Sequence, residues 1–468
     1  MLRQFEKNER NHLPAGLLAT AALLLASGAL IAAEPGTTAP NSAKPVTFAK
    51  DIAPIFQDKC EGCHRKDSMA PMSLVTYEES RPWAKAIKER VVTHQMPPWH
   101  LDKTVGIQQF QNDRSLSDEQ VATIARWVDA GAPLGNPKDM PPPKKWDNEN
   151  GWQLAKQYGE PDLVIKSDEY TMPAVSQDQW WRPMTEVALS ESRWVRAVEM
   201  RPGTTAGRRI THHAIGYLIQ NEPKTAQSPV SDDPLSALAG GGILMEWAVG
   251  KQYDTYRPNT GKLLMPGAKI WWDIHYHAVG EKITDHVELA VYLYPKGEVP
   301  KYRTYLTMFN AAASNGGIPL DIPPNTVAET ENFHVLKQAA RLENFQPHMH
   351  LRGKAMLLEA ILPDGTTQTV SYVNNFNFNW MNNYIYTEDA APEFPKGTII
   401  HVKAWHDNTT AKTSNPDPTQ WVGWGDRTVD EMAHAWVNVT YISDEDYNEW
   451  AAKHKPKKPA MPFGLGVN

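Results

Sequence analysis

The 468-residue sequence contains only two cysteines, Cys60 and Cys63. Since both belong to one short motif, everything after them must fold without a disulfide bond. The sequence also lacks a long basic run, and its net charge is −7. Nothing therefore favours nucleic acid as a partner.

Long apolar runs are also scarce, and one stretch alone approaches a membrane span. Residues 1–33 are predicted to be a signal peptide, because a charged segment precedes the apolar run 13–33 and Ala32 and Ala33 offer a cleavage site. A linker rich in proline, serine and threonine follows over residues 34–46. We therefore expect an exported protein, in the bacterial periplasm or secreted. An uncleaved membrane anchor is the alternative, since about 20 apolar residues span a bilayer.

The next part of the chain has helical periodicity. Residues 47–136 predict a small all-α domain, and its clearest helix has a capping box formed by Ser117 and Gln120 and ends at Gly131. A proline-rich linker is predicted over residues 137–158.

Beyond the linker the pattern is that of β-structure. Short runs of β-branched and aromatic residues are separated by turn residues over roughly 300 residues, which suits two sandwiches better than one. We expect two jelly-roll-like β-sandwiches, over 159–300 and 301–452, and a tail over 453–468. The predicted strands are 163–165, 193–199, 214–219, 269–276, 287–294, 356–362 and 370–373.

The two cysteines lie in a CxxCH motif, Cys60-Glu61-Gly62-Cys63-His64. Two thiols at this spacing, expected at the start of a helix, can add to the vinyl groups of haem, and the adjacent histidine then serves as the proximal iron ligand. The motif predicts one covalent haem c; a redox-active CxxC pair is the alternative. Residues 47–136 resemble small class I cytochrome c domains.

Met96 is the candidate for the sixth iron ligand. Two prolines follow it and fix a loop that can present its thioether, and thioether ligation raises the reduction potential. Met69, Met72 and His94 are competitors.

Histidines are clustered in the β-rich part. Two imidazoles at i and i+2 on a strand share a face, which suits a metal, whereas an adjacent pair needs a bulge or a loop edge. All-imidazole sites accept zinc or copper, and a methionine ligand would argue for copper. The three clusters are His212-His213, His275-Tyr276-His277 and His348-Met349-His350.

The order and spacing of five motifs resemble the copper type II, ascorbate-dependent monooxygenases, the family of the peptidylglycine α-hydroxylating and dopamine β-monooxygenases. The resemblance extends from about residue 159 to residue 452. The motifs are Thr211-His212-His213-Ala214, Asp273-Ile274-His275-Tyr276-His277, Pro323-Pro324-Asn325-Thr326, Gln346-Pro347-His348-Met349-His350 and Asp430-Glu431-Met432.

The resemblance implies two β-sandwiches, each holding one copper, that face each other across a solvent-filled cleft. The electron-transfer copper would be held by His212, His213 and His275. The catalytic, oxygen-binding copper would be held by His348, His350 and Met432.

The chain departs from the family in three ways. It has no disulfides, it carries a haem segment, and Gln346 stands where the peptide-hydroxylating enzymes have an arginine that anchors the substrate carboxylate. A peptidylglycine substrate is therefore doubtful. His277 follows the motif of the first site and is either a group behind its ligands or a surface residue. His401 and His406 have no matching role and are interpreted as surface or core histidines. The substrate-pocket candidates are His434 and Trp436.

The expected function is a copper-dependent monooxygenase that hydroxylates a C–H bond of an unknown organic substrate with O2. The fused haem would supply electrons, with an external donor behind it. A non-catalytic haem and copper protein for electron transfer or copper binding is the alternative. A third reading is a zinc-binding or carbohydrate-binding module.

Overall fold

The structure, a computed structural model, describes residues 45–66, 68, 70–146, 151–222, 240–251, 253–312 and 319–454. The predicted signal peptide, nearly all of the linker after it, Met69 and all but the first two residues of the predicted tail lie outside these ranges. The helices are α1 (Ala53–Lys59), α2 (Tyr77–Ser80), α3 (Ala84–Val92), α4 (Asp118–Asp129), α5 (Ala155–Tyr158), α6 (Gly207–Ile210) and α7 (Asp444–Lys453), with single turns at Phe48–Ile52, Arg81–Trp83 and Pro137–Asp139.

The first four helices share a small apolar core. Helix α4 begins at the predicted capping box, in which the Ser117 hydroxyl accepts from the Gln120 amide at 3.2 Å and the Gln120 side chain accepts from the Ser117 amide at 2.9 Å. Its Trp127 is fully buried and packs edge-on against Phe56 in the middle of α1. This core positions the turn that carries the cysteines.

Strands dominate the rest of the chain. Alternation of buried and exposed side chains is clear in the strands with one exposed face, whereas central strands such as β12 are buried on both faces. The first twelve strands are β1 (Leu163–Lys166), β2 (Tyr170–Met172), β3 (Gln179–Trp181), β4 (Met184–Glu186), β5 (Arg193–Pro202), β6 (Thr211–Ile219), β7 (Gly240–Ala248), β8 (Tyr253–Thr255), β9 (Thr260–Leu264), β10 (Lys269–Tyr276), β11 (Ile283–Asp285) and β12 (Val287–Leu293). The others are β13 (Tyr302–Asn310), β14 (Asp321–Ile322), β15 (Val327–Val335), β16 (Ala340–Leu342), β17 (Asn344–His348), β18 (Gly353–Ile361), β19 (Thr367–Val373), β20 (Tyr384–Ile385), β21 (Glu393–Phe394), β22 (Ile399–Asp407), β23 (Val422–Gly423) and β24 (His434–Tyr441).

Most strands form one large sheet and two smaller sheets that pack against it, while β2 with β11 and β14 with β23 form two further two-stranded sheets. The large sheet has eleven strands in the order β1-β12-β5-β9-β13-β24-β16-β21, with β8, β17 and β20 attached. A five-stranded sheet (β3-β10-β6-β7, with β4) shares one core with its first half, since Leu289 and Ile270 belong to the same buried cluster. A four-stranded sheet (β15-β22-β18-β19) shares another core with its second half, which contains Val437 and Leu358.

Residues 98–112 leave the helices and lie along the second β-rich half; we call them the strap. The amides of Asp102 and Ile107 donate to the carbonyls of Tyr372 and Val370 in β19 at 2.8 and 2.9 Å. The strap thereby extends a sheet and buries apolar side chains in its core. These side chains are Trp99, Leu101 and Phe110.

The strap should make the stability of the protein pH-dependent through His100. This side chain is 5% exposed, and burial lowers its pKa from 6.5 to about 4. In the unfolded chain His100 therefore binds a proton below about pH 6.5, whereas in the folded chain it binds one only below about pH 4. We expect His100 alone to reduce the free energy of unfolding by about 1.4 kcal/mol for each pH unit between these values. Denaturant titrations at pH 7 and pH 4.5 check this, and His100→Phe should show the smaller difference between the two.

The predicted fold class, a small all-α cytochrome c domain followed by two separate β-sandwiches, is wrong. Strands account for 36% of the residues and helices for 16%, and no sizeable all-α domain exists in the described part of the chain. Two features explain the error. The strap takes the middle of residues 47–136 into a β-sheet core, and the parallel pairing of β9 with β13 at Thr260 and Tyr302 merges strands of both halves into one sheet.

No helix among the described residues has the length and apolar character that crossing a bilayer requires.

Candidate metal centre

Three histidines predicted as ligands meet at one end of the five-stranded sheet. His213 on β6 lies opposite His275 on β10, and the next pair in the ladder is Thr211 with Tyr276. His212 is therefore the extra residue of a β-bulge, and a bulge re-aims its side chain. This is how two adjacent histidines turn toward one point. The ligand atoms of His212, His213 and His275 all lie within 4.8 Å of one another, and we call these residues the first histidine group.

Asp178 and Trp180 hold the ring of His275, and no motif in the sequence pointed to either residue. A carboxylate oxygen of Asp178 lies 3.2 Å from its Nε2, and Thr428 donates to the same carboxylate at 2.8 Å. The contact with His275 is the main reason why the pKa of Asp178 is lowered to about 2. Trp180, its partner on β3, stacks on the ring at 4.6 Å. A carboxylate on one ring nitrogen orients the imidazole and leaves the other for a metal.

His348 and His350 form the second histidine group. His348 ends β17, and its ring centre lies 5.4 Å from that of His350, which lies in the turn beyond the strand. The Nδ1 of His350 is 3.0 Å from the carbonyl oxygen of Asp430, so this nitrogen donates and Nε2 remains available. The group therefore places two imidazoles side by side where β17 ends and the turn toward β18 begins.

Glu431 fixes that turn. Its fully buried carboxylate accepts from the backbone amides of His350 and Arg352 at 2.8 and 2.5 Å. Burial raises its pKa to about 8. Met432, the predicted thioether ligand, follows directly and is half-buried, and its carbonyl oxygen lies 3.1 Å from Nε2 of His406. His406 thus contacts the backbone of this segment, a role that the sequence did not indicate.

The two histidine groups adjoin each other. The ring centres of His213 and His348 are 6.1 Å apart. Phe378 lies between the groups, stacked on His212 at 4.6 Å and edge-on to His350 at 6.0 Å. The groups therefore do not face each other across a wide solvent-filled cleft, as the family resemblance implied.

Protonation and hydrogen bonding both fit a bound metal. Burial lowers the pKa of His212 to about 3 and that of His350 to about 4, and it holds those of His213 and His348 well below 6.5. All four are therefore neutral at pH 7, the form that binds metal.

Several buried ring nitrogens also lack a partner. Nδ1 of His275 and Nδ1 of His348 make no hydrogen bond within the part of the chain that the structure describes. Since buried polar atoms are nearly always bonded, these atoms fit a metal, and imidazole suits copper or zinc.

Gln346 bonds to the protein interior and is not available to a substrate. It is fully buried, and its side-chain amide donates to Glu246 on β7 at 2.8 Å. Glu246 also lies 3.5 Å from the ammonium of Lys251, which is 3.0 Å from Asp254. The position that holds an arginine in the peptide-hydroxylating enzymes therefore serves an internal polar network here.

The cysteine motif lies in the turn after α1 rather than at the start of a helix. The Cys60 carbonyl accepts from the amides of Cys63 and His64 at 3.0 and 2.9 Å, and neither cysteine is in a disulfide. Burial raises the pKa of Cys60 to about 12. Nδ1 of His64 lies 3.2 Å from the carbonyl oxygen of Met72, which leaves Nε2 for an iron. The donor set thus fits a covalent haem.

The candidates for the sixth iron ligand are placed differently. Met96 follows α3, is half-buried, and donates its amide to the carbonyl of Arg90 at 3.1 Å. His94 is exposed, and Met72 is half-buried with its carbonyl directed at His64. The structure therefore leaves Met96 as a prediction, with Met72 close to the proximal side of the motif.

Comparisons with known proteins give no family for this chain. No family model matches it, and no curated protein does. The capsid protein P2 of bacteriophage PM2 is 10% identical, with a TM-score of 0.22 over 61% of this chain and 99% of that one. PNGF-II is 11% identical, with a TM-score of 0.25 over 60% and 65%, and the VP2 particle of infectious bursal disease virus is 12% identical, with a TM-score of 0.16 over 62% and 76%. Similarity this low carries no argument about fold or function.

Proposed function

We propose that the protein is a copper-dependent monooxygenase that hydroxylates a C–H bond of an organic substrate with O2. The observation that carries the proposal is the meeting of two histidine groups, with 6.1 Å between the rings of His213 and His348. The reaction takes one O2, two electrons and two protons, and yields the hydroxylated product and water. Copper at these groups would supply the one-electron chemistry that O2 requires.

The residues around the histidines have distinct tasks in this proposal. Asp178 holds the ring of His275 in one orientation, and Glu431 fixes the backbone that presents His350. The four imidazoles whose pKa is lowered by burial, those of His212, His213, His348 and His350, stay neutral at pH 7 and keep their nitrogen lone pairs for metal. Met432 would add a soft thioether donor, which favours Cu(I).

We further propose that haem c on Cys60, Cys63 and His64 supplies the electrons, with an external donor behind it. This proposal is supported by a short chain of hydrogen bonds between the segment after Met96 and the first histidine group. Two residues after Met96, the carbonyl of Pro98 accepts from the Asn382 side chain at 2.9 Å. The neighbouring Met381 donates its amide to Val249 at 2.9 Å, one residue beyond Ala248, the cross-strand partner of His213.

Stopped-flow mixing of reduced protein with O2 and substrate tests the haem as donor, because haem that stays reduced during turnover rules it out. The proposed covalent haem and the predicted signal peptide are the two grounds for proposing export, to the bacterial periplasm or beyond.

A non-catalytic haem and copper protein is the second candidate, and Phe378 favours it. Its ring contacts both His212 and His350 and so fills space between the two histidine groups that a substrate would need. Oxygen consumption by Phe378→Ala against a panel of organic substrates separates the two functions, since a blocked enzyme should gain activity and an electron carrier should not.

The test of the proposed function is copper and haem stoichiometry combined with oxygen uptake, in the parent and in Met432→Ala. We expect two coppers and one haem in the parent. Met432→Ala should lose oxygen uptake and keep the copper of the first histidine group. Met265→Ala, which changes an equally half-buried methionine in the turn after β9, is the matched control. Zinc without copper after copper-replete purification would falsify the proposal.

A further inference from the structure

A hydrogen bond between Glu246 and Gln346 lies near both histidine groups. On β7, Glu246 stands two residues before Ala248, the ladder partner of His213. Since ladder partners share a face of the sheet, as do alternate residues of a strand, Glu246 and His213 are on the same face. On β17, Gln346 stands two residues before His348 and shares its face for the same reason. The bond of 2.8 Å therefore joins the sheet of the first group to the strand of the second.

A second series of contacts returns from Glu246 to β17. The Lys251 ammonium lies 3.5 Å from Glu246 and 3.0 Å from Asp254 on β8. The side-chain amide of Asn383 donates to Asp254 at 3.3 Å, and the side-chain oxygen of Asn383 accepts from Asn344 at 2.6 Å. Because Asn344 is the first residue of β17, the contacts form a closed circle. We call its members the polar network: Glu246, Lys251, Asp254, Asn344, Gln346 and Asn383.

The polar network is buried throughout, and none of its members is more than 3% exposed. Burying charged and polar groups costs free energy unless they meet partners in good geometry, so replacing such groups by apolar residues is often neutral or stabilising. The network is therefore weak evidence for extra stability. What it provides is one preferred arrangement, since its contacts form only when the strands lie at one spacing.

The neighbouring contact between the two sheets is apolar. Tyr217 and Ile243 of the five-stranded sheet pack in one cluster with Leu306 and Trp436 of the large sheet. Trp436 is also the ladder partner of Gln346, so this cluster adjoins the polar network. Apolar attraction has no preferred direction and tolerates small shifts of one surface over the other. The polar network is the part of the contact that fixes the spacing.

We propose that the polar network sets the distance between the two histidine groups, with Glu246 and Gln346 as its positioning residues. Opening the network then changes the distance between His213 and His348 while the histidines of both groups are kept. The effect on spacing needs no metal. The effect on the reaction rests on the proposed function, because electrons would pass from one group to the other.

The variant Gln346→Met opens the polar network, because methionine matches glutamine in length and lacks its amide. The measurement is the distance between two nitroxide labels in metal-free protein, at Met184→Cys on β4 and Val335→Cys on β15, whose parent side chains are 53% and 54% exposed. Cys60→Ser and Cys63→Ser restrict labelling to these two positions. We expect the distance distribution to shift or broaden relative to that of the labelled parent.

Gln220→Met is the matched control. Gln220 is 8% exposed and also donates to a glutamate, Glu222, at 2.8 Å, but its oxygen accepts from Met265 within the first β-rich half. We expect this variant to keep the parental distances. Exchange of the two positioning residues, Glu246→Gln with Gln346→Glu, retains a donor and an acceptor and should restore the parental distances.

The outcomes separate the spacing from the proposed function. Parental label distances in Gln346→Met overturn the proposal, and so does an equal change in Gln220→Met. In copper-loaded protein, Gln346→Met should lower kcat for oxygen uptake about 100-fold at unchanged copper content, a loss that a misplacement of about 1 Å can cause. A parent that binds no copper overturns the proposed function, and the label distances still decide the spacing. If Gln346→Met does not fold, Asn383→Leu opens the other side of the polar network and is measured in its place, with the same expected and contradicting results.

Discussion

Replacing His213 by alanine should remove one copper from each chain and lower oxygen consumption by at least about a thousandfold. The ring centre of His213 lies 5.0 Å from that of His275, and its Nδ1 lies 3.2 Å from Nδ1 of His212. Without it two imidazoles remain of the three that would hold the electron-transfer copper. A thousandfold loss corresponds to roughly 4 kcal/mol in activation free energy, and we expect it because electrons would no longer pass through this copper.

Metal analysis and an oxygen electrode measure both parts of this result. His277→Ala is the control, because His277 is half-buried beside the first histidine group and its structural contact is a backbone amide that donates to Ile210 at 2.9 Å. We expect that variant to keep both coppers. If His213→Ala also keeps both and consumes oxygen normally, copper binds elsewhere.

Replacing both Cys60 and Cys63 by serine should reduce covalent haem from one per chain to none. A serine hydroxyl does not form the thioether that a thiol forms with a haem vinyl group, so His64 alone cannot retain the haem when the protein is denatured. Copper should remain, since the first histidine group belongs to β6 and β10. Oxygen consumption that depends on electrons from the haem should stop, whereas a small reductant that reaches copper directly should restore it.

Haem absorbance of the denatured, gel-separated chain measures the covalent bond. Each single serine variant is a control, because one thioether should still hold the haem. Persistent covalent haem in the double variant, or its absence from the parent, contradicts the prediction.

Local signals in the sequence predicted many elements correctly. The strand predicted at residues 269–276 is β10, and the capping box of Ser117 and Gln120 begins α4. Both depend on neighbours within a few residues. The strap could not be predicted in this way, because Trp99 and Phe110 are buried by strands more than 200 residues later in the chain.

The candidate site likewise has features that local sequence motifs predict and features that depend on contacts between distant strands. The first histidine group could be selected from the spacing of its motifs, and the structure brings its three side chains together. The bulge at His212 and the contact of Asp178 with His275 depend on how β10 pairs with two other strands. Register between distant strands is set by tertiary packing, which no short motif encodes.

The strap also determines whether the segment proposed to carry haem can be exchanged as a separate module. Because Trp99, Leu101 and Phe110 complete the core of the second β-rich half, a foreign electron donor spliced on at residue 136 would leave their places empty. Losing one buried aromatic side chain costs about 3–5 kcal/mol, a large part of the stability of an ordinary domain. A chimera must therefore keep residues 98–112 and replace only the helices around them. For the same reason we expect the strap and the β-sheet core that it packs against to change together in evolution. A substitution in that core should be accompanied by a compensating substitution in the strap.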